Sequence, residues 1–165
     1  MPGEVQVRAA TLEDWESYRD VRLAALRTDP GAFGSRYDDE VRTTPERWRE
    51  RAAIAEGATF LAFADGRAVG TATAAPWDGL AGVLGLFGMW VDPGWRGRGV
   101  GAGLVDAVLR FGRDHGYPTV QLWVAEGEEA PRRLYERCGF VDTGERRPIR
   151  DEPGAFTCMV MRWSP

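Results

Sequence analysis

The sequence predicts a mixed α/β domain, a central sheet of about seven strands flanked by about four helices. Three observations predict it. Short apolar stretches bounded by Gly, Pro and Asp recur along the chain, as strands do. Between them lie longer segments whose apolar residues fall at three- and four-residue spacing, as helix faces do. The two kinds follow one another as strand, two helices, several strands, helix, strand, helix, two strands, an order that lays helices on the faces of one mixed sheet. No repeat, low-complexity tract or linker interrupts residues 1–165, a length that suits one domain with its own core.

Each element has its own signal. Val5 and Val7 alternate with polar neighbours and read as a first strand. Thr11-Leu12-Glu13-Asp14 reads as an N-cap with an acidic first turn. Trp15, Tyr18, Val21, Arg22, Ala25 and Leu26 then recur at helical spacing, up to Asp29-Pro30-Gly31. A polar loop from Gly31 to Thr43 follows, with Phe33, Tyr37 and the acidic run Asp38-Asp39-Glu40. Thr44-Pro45-Glu46 starts a second helix running to about Ala55. Thr59–Ala64 and Ala68–Ala75 are paired strands around an Asp65-Gly66 hairpin turn. Val83–Val91 is a buried strand, and Asp92–Arg98 is a loop. Val100, Leu104, Val108 and Phe111 mark the face of a helix closed by His115-Gly116. Thr119–Val124 is a short strand and Pro131–Cys138 a short helix; Phe140–Thr143 and Phe156–Trp163 are two last strands.

Composition excludes several classes. Hydrophobic residues make up 44%, as in globular rather than disordered chains. The net charge of −4 opposes a nucleic-acid partner, which needs a basic face. No window approaches about eighteen consecutive apolar residues, so no membrane is expected. The N-terminal MPGEVQVRAATLEDW lacks the basic and then apolar run of an export signal, which points to a cytoplasmic location. Cys138 and Cys158 are read there as free thiols. With His115 the only histidine, neither a zinc cluster nor a His-based triad is expected, and no metal.

The most informative segment is Val91–Leu104, VDPGWRGRGVGAGL. A bound pyrophosphate needs backbone N–H groups converging on one concavity, no Cβ where oxygen meets backbone, and a helix N-terminus beneath it. Gly97, Gly99, Gly101 and Gly103 remove Cβ atoms, the helix after Gly99 supplies N–H groups, and Arg96 and Arg98 add charge. A turn alone requires only one or two glycines. Four alternating glycines also weaken a helix start, by about 0.8–1 kcal/mol for each in a helical position. A phosphate-bearing ligand therefore explains the segment better. The P-loop Gly-Lys-Ser/Thr ending is absent. A dinucleotide-binding pattern fits weakly through Gly97, Gly99 and Ala102 with Glu126 as the acidic residue, but Asp92–Arg96 separates the strand from that loop.

Arg96, Gly99 and Gly101 fit Arg/Gln-x-x-Gly-x-Gly/Ala behind Val91-Asp92-Pro93, and Leu134, Tyr135, Glu136, Gly139 and Phe140 fit a later Leu-Tyr-Glu-x-x-Gly-Phe. In these two motifs and in element order over nearly the whole chain, the sequence resembles the GNAT superfamily of acyl-CoA-dependent N-acetyltransferases. The resemblance implies a mostly antiparallel sheet splayed between its fourth and fifth strands. It implies acetyl-CoA as cosubstrate, with Met89, Trp90 and Val91 along the pantetheine arm and Arg96, Gly97, Arg98, Gly99, Val100, Gly101 and Ala102 around the pyrophosphate. The backbone N–H near Val91 would stabilise the oxyanion. It implies an amine acceptor, small molecule or protein, and a homodimer as in many members. Tyr135, near the sulfur in the family, is the candidate acid. Glu126, just after the fifth strand, is the first candidate base, ahead of Asp78, Asp92 and Glu128. Family topology also suggests an acceptor pocket from Phe33, Tyr37, Trp77 and the Arg146–Asp151 loop.

Two positions depart from many relatives, which carry Asn where Glu128 stands and Ala where Pro131 stands. Trp123 occupies the position of a catalytic glutamate in relatives that acetylate ribosomal-protein N-termini, so that substrate class is not supported. Beside a catalytic acetyltransferase stand two other readings: a non-catalytic acyl-CoA-binding sensor and, on the weaker dinucleotide pattern, an NAD(P)-dependent oxidoreductase.

Overall fold

Seven strands form one sheet in a computed structural model that describes residues 3–165. Met1 and Pro2, which open the N-terminal stretch read above for an export signal, lie outside the described residues. The strands are β1 (Gln6–Ala9), β2 (Ala58–Ala64), β3 (Arg67–Pro76), β4 (Val83–Val91), β5 (Thr119–Ala125), β6 (Val141–Pro148) and β7 (Thr157–Trp163). Their order is β1-β2-β3-β4-β5-β7-β6, antiparallel throughout except for the β4–β5 pair. The helices are α1 (Trp15–Thr28), α2 (Tyr37–Glu40), α3 (Pro45–Ala52), α4 (Val100–Asp114) and α5 (Glu129–Arg137). The mixed sheet with helices on its faces is the architecture expected from the sequence.

Alternation along the strands sorts side chains onto two faces. On one face Leu84, Leu86, Val120, Leu122 and Val124 pack against Val100, Leu104, Val105 and Val108 of α4 and Tyr135 of α5. On the other, Leu61, Ala68 and Trp90 pack against Tyr18, Val21, Ala25 and Leu26 of α1 and Trp48 of α3. Each fully buried Leu or Val of these layers contributes roughly 1.5–3 kcal/mol of apolar transfer. Side chains secure the starts predicted at Thr44 and in the turn before α1. The Thr44 hydroxyl accepts from the Arg47 N–H at 3.2 Å ahead of Pro45, and Asp14 accepts from the Thr11 N–H at 2.8 Å in the turn preceding α1.

Three details depart from the sequence reading. The Gly31–Thr43 loop contains the single-turn helix α2, too short to display periodicity. The helix expected to reach Ala55 ends at Ala52, and the following residues turn the chain back into β2. The sixth strand extends well beyond Thr143, because β6 is an edge strand exposed at every position and carries no inside-outside pattern.

Candidate functional site

The parallel β4–β5 pair is held only from Val83 opposite Thr119 to Leu86 opposite Leu122. Beyond that point β4 stays with β3 as far as Val91, and β5 stays with β7 as far as Ala125 opposite Cys158. The strands therefore part, leaving Phe87–Val91 and Trp123–Ala125 with edges facing a gap. This is the expected splay between the fourth and fifth strands.

A bulge shapes the β4 edge. Thr71 pairs with Trp90 but Thr73 with Phe87, so β4 carries one residue more than β3 across this step. Gly88, with φ of +60°, fills the extra position. The Asp92 N–H donates to the Val69 carbonyl on β3 at 2.8 Å, and by alternation Met89 and Val91 turn their backbone groups toward the gap. The Val91 carbonyl on that side accepts from Arg96 Nε at 2.8 Å.

The glycine-rich loop follows directly. After the turn Pro93–Trp95, Gly97 and Gly99 adopt φ of +74° and +82°, left-handed values that favour glycine, and α4 begins at Val100 with Gly99 as its N-cap. The N–H groups of its first turn have no intrahelical acceptors. Helices α1, α2, α3 and α5 each place an acidic residue in the first turn, where it complements the helix dipole; α4 has none, and no side chain caps it. The positive end of α4 is left bare beside the gap, suited to an external anion. The glycines divide by role. A Cβ on Gly97 or Gly99 would meet nothing within 4 Å, whereas one on Gly101 would lie 2.8 Å from Leu134 Cδ2 and 3.3 Å from Met89 Cε. Gly101 thus lets α4 approach β4 and α5.

Arg96 turns inward. Its Nη2 donates to Asp29 at 2.9 Å, and the same Asp29 oxygen accepts from the Trp90 indole at 2.7 Å. Burial raises the Asp29 pKa, but these hydrogen bonds outweigh it and hold the carboxyl below its ordinary range. Asp29 reads in the sequence only as a helix-end signal; it pins the end of α1 to β4 and the loop. Arg98 is exposed, its guanidinium 5.0 Å from the Trp95 ring.

Tyr135 is buried on the α4 side in the same cluster as Val91, Leu122 and Val124, its ring edge-on to Phe140 at 5.9 Å. Burial, with Cys138 beside it, pushes its pKa well above the ordinary phenol range, so the hydroxyl keeps its proton at neutral pH. Burial raises the pKa of Cys138 and, with Glu126 adding to it, that of Cys158, so neither thiol is poised as a thiolate nucleophile. Glu126 accepts from Arg146 Nε at 2.6 Å, an ion pair that ties its carboxylate to β6. Of the other carboxylates, Asp78 and Glu128 are exposed, and Asp92 accepts from the Gly94 N–H. His115 stacks on Phe111 at 3.9 Å at the far end of α4.

The opposite face of the gap is aromatic and cationic. Phe87 and Trp77 stack at 5.7 Å, and Trp123 meets both rings edge-on. Arg150 Nη1 donates to the Phe33 carbonyl at 3.1 Å, joining the β6–β7 loop to the segment after α1; Tyr37 lies under Arg27. Of the segment expected as an Arg146–Asp151 loop, Arg146–Pro148 belong to β6; Arg150 meets Phe33, while Arg147 lies over Trp123 of the ring cluster that Trp77 joins. The acidic run resolves differently from its sequence reading. Asp38 and Asp39 are exposed, but Glu40 is buried, accepting from Arg22 Nε and Nη2 at 3.0 and 2.8 Å and from Arg51 Nη1 at 2.9 Å. Among the described residues no group of three or more His, Cys, Asp or Glu side chains could hold a metal ion, and no helix is long and apolar enough to cross a membrane.

Comparison with known proteins agrees with this geometry. A model of the acetyltransferase (GNAT) family matches residues 13–140. The mycothiol acetyltransferase of Thermobispora bispora is 33% identical over 141 residues, 81% of this chain and 46% of that protein. Two solved structures share the fold. A GNAT-family acetyltransferase from Streptococcus pneumoniae superposes with a TM-score of 0.79 at 23% identity, covering 98% of this chain and 100% of that one. A PaiA N-acetyltransferase from Thermoplasma acidophilum, in complex with coenzyme A, gives 0.74 at 17% identity, covering 98% and 99%. The chain spans about half the length of the curated relatives that it matches over most of its own length. With the family model covering most of the sequence and the two motifs on α4 and α5 beside the splayed sheet, the chain belongs to the GNAT acetyltransferase family.

Proposed function

We propose that this protein transfers the acetyl group of acetyl-CoA directly to a primary amine of a small molecule or protein. The observation that carries the reading is the bare, glycine-capped N-terminus of α4 beside the open edge of β4. In this reading Gly97–Ala102 surround the pyrophosphate while Arg96 fixes the loop and Arg98 adds charge at its rim. Met89 and Val91 line the pantetheine arm with their backbone groups, with Trp90 anchoring the strand between them through Asp29. This arrangement favours coenzyme A over a dinucleotide, because the glycine loop is separated from β4 by a full turn and its strand ends at a splay.

The neutral amine enters from the aromatic face and attacks the thioester carbonyl. A C–N bond forms, the C–S bond breaks, and N–H groups on the β4 edge stabilise the oxyanion. The thiolate leaves and takes its proton from Tyr135. A buried phenol is a poor acid in water, but a thiolate in the same dry gap is raised in basicity for the same reason. Glu126, paired with Arg146, takes the amine proton through water. No metal enters this chemistry, and a homodimer is proposed by family analogy alone.

Calorimetry with acetyl-CoA, coenzyme A and NAD, followed by a thiol-release screen over amines, tests the proposal. The expected result is binding of the two coenzyme A species, no NAD binding, and amine-dependent release of thiol. Tight acetyl-CoA binding with no release over a broad amine panel would identify an acyl-CoA sensor instead. Glu126→Gln should lower kcat/KM about 10²-fold near neutral pH, with partial recovery at high pH where the amine is already neutral. An unchanged pH profile would remove Glu126 from the base role.

A further inference from the structure

The buried cluster on the acceptor side carries a charge that the proposed chemistry does not use. Arg22 and Arg51 share the single carboxylate of Glu40, and Arg51 Nη2 also donates to the Tyr18 hydroxyl at 3.2 Å. Two guanidiniums against one carboxylate leave one net positive charge under this face, with the Arg22 side chain 10% and the Arg51 side chain 24% exposed. Buried charges of this kind require a partner.

The free edge of Arg22 is where a partner would bind. Its Nε and Nη2 hold Glu40, while Nη1 makes no hydrogen bond among the described residues. Nη1 lies 3.3 Å from the position that a Cβ on Gly88 would occupy, so the unused N–H groups sit at the β4 bulge, on the face opposite α4. The Arg22 guanidinium also lies 5.1 Å from the Phe33 ring, whose carbonyl is held by Arg150. The fork thus adjoins the bulge on one side and, through Phe33, the β6–β7 loop on the other.

We infer that the acceptor is a small primary amine bearing a carboxylate a few bonds from the nitrogen, and that Arg22 Nη1 binds this carboxylate beside the bulge while the amine faces the thioester. The inference rests on the acetyl-transfer reading above and names the substrate class of the same site. A guanidinium edge fits the planar carboxylate with two parallel hydrogen bonds.

The test uses the full chain, acetyl-CoA and matched pairs of acceptors: amino acids with the amine on the α, β or γ carbon, each against its own primary amide. The expected result is thiol release with at least one acid and a kcat/KM at least tenfold lower for the corresponding amide. Arg22→Lys keeps the charge but loses the fork, and should raise KM for that acid about tenfold with a smaller change in kcat. Calorimetry with acetyl-CoA on both proteins reports whether the donor site is intact. Failure of the wild-type chain to bind acetyl-CoA would overturn the acetyl-transfer reading. Normal acetyl-CoA binding with amides reacting as fast as acids, or with no acid reacting, would overturn the acceptor assignment alone.

Discussion

At the scale of single residues, Tyr135 and Arg22 show how burial changes the meaning of a side chain. Tyr135 reads in the sequence as a motif residue and as a core aromatic; the structure shows the second, its ring packed on Phe140, and burial holds the hydroxyl protonated. Tyr135→Phe preserves the ring and removes the proton. It should lower kcat about 10²-fold with little change in acetyl-CoA affinity, and the loss should shrink with a thioester whose thiol is more acidic. Equal turnover at all pH values, measured by thiol release, would remove Tyr135 from the acid role. Arg22 carries a different lesson. It lies within the apolar stripe Trp15, Tyr18, Val21, Arg22, Ala25, Leu26, and a charge on a core-facing stripe signals a buried ion pair. Its partner was illegible, because Glu40 stands 18 residues away in a run of three acids whose other two are exposed.

At the scale of elements, the strand–loop–helix unit from β4 to α4 was legible because glycine chemistry is local. Four glycines in alternation stand out in any reading of the sequence, but which of them faces a ligand depends on tertiary neighbours. Gly99→Ala places a side chain at φ of +82° in open space, a strain of roughly 1–2 kcal/mol at the point where an anion would sit. Gly101→Leu drives a side chain into Leu134 and Met89 and should cost about 1–3 kcal/mol of stability through overpacking. The two variants should separate. Gly99→Ala is expected to weaken acetyl-CoA binding at least tenfold in calorimetry with a small loss in Tm, and Gly101→Leu to lower Tm by several degrees. If Gly99→Ala binds acetyl-CoA as well as the parent chain, the loop is only a turn. The splay itself was not readable from periodicity. Phe87–Val91 and Trp123–Ala125 look like ordinary strand ends, and only the family resemblance led to the gap.

At the scale of the whole molecule, the sheet separates two cores, and the Arg22–Glu40–Arg51 network fastens α2 to α1 and α3 beneath the second one. Burial pushes Glu40 upward, but its hydrogen bond to Arg22 and the charges of Arg22 and Arg51 win, lowering its pKa from 4.5 to about 2. Because the folded pKa lies below the unfolded one, the carboxylate's stabilisation is fully present above about pH 4.5 and is lost as pH falls toward about 2. The contribution at neutral pH is about 2 kcal/mol once screening by solvent is allowed for. Asp14, held at about 2 by its hydrogen bond with Arg8, loses its contribution over a similar range. Urea unfolding of the parent chain should therefore weaken steadily between pH 4.5 and pH 2. Glu40→Gln leaves the buried Arg22 and half-buried Arg51 guanidiniums without an anion and should cost about 3 kcal/mol at pH 7, while its own acid-induced loss is shallower, so that the two proteins converge toward pH 2. Parallel acid limbs for parent and variant would mean that Glu40 is not the group whose protonation loosens this fold.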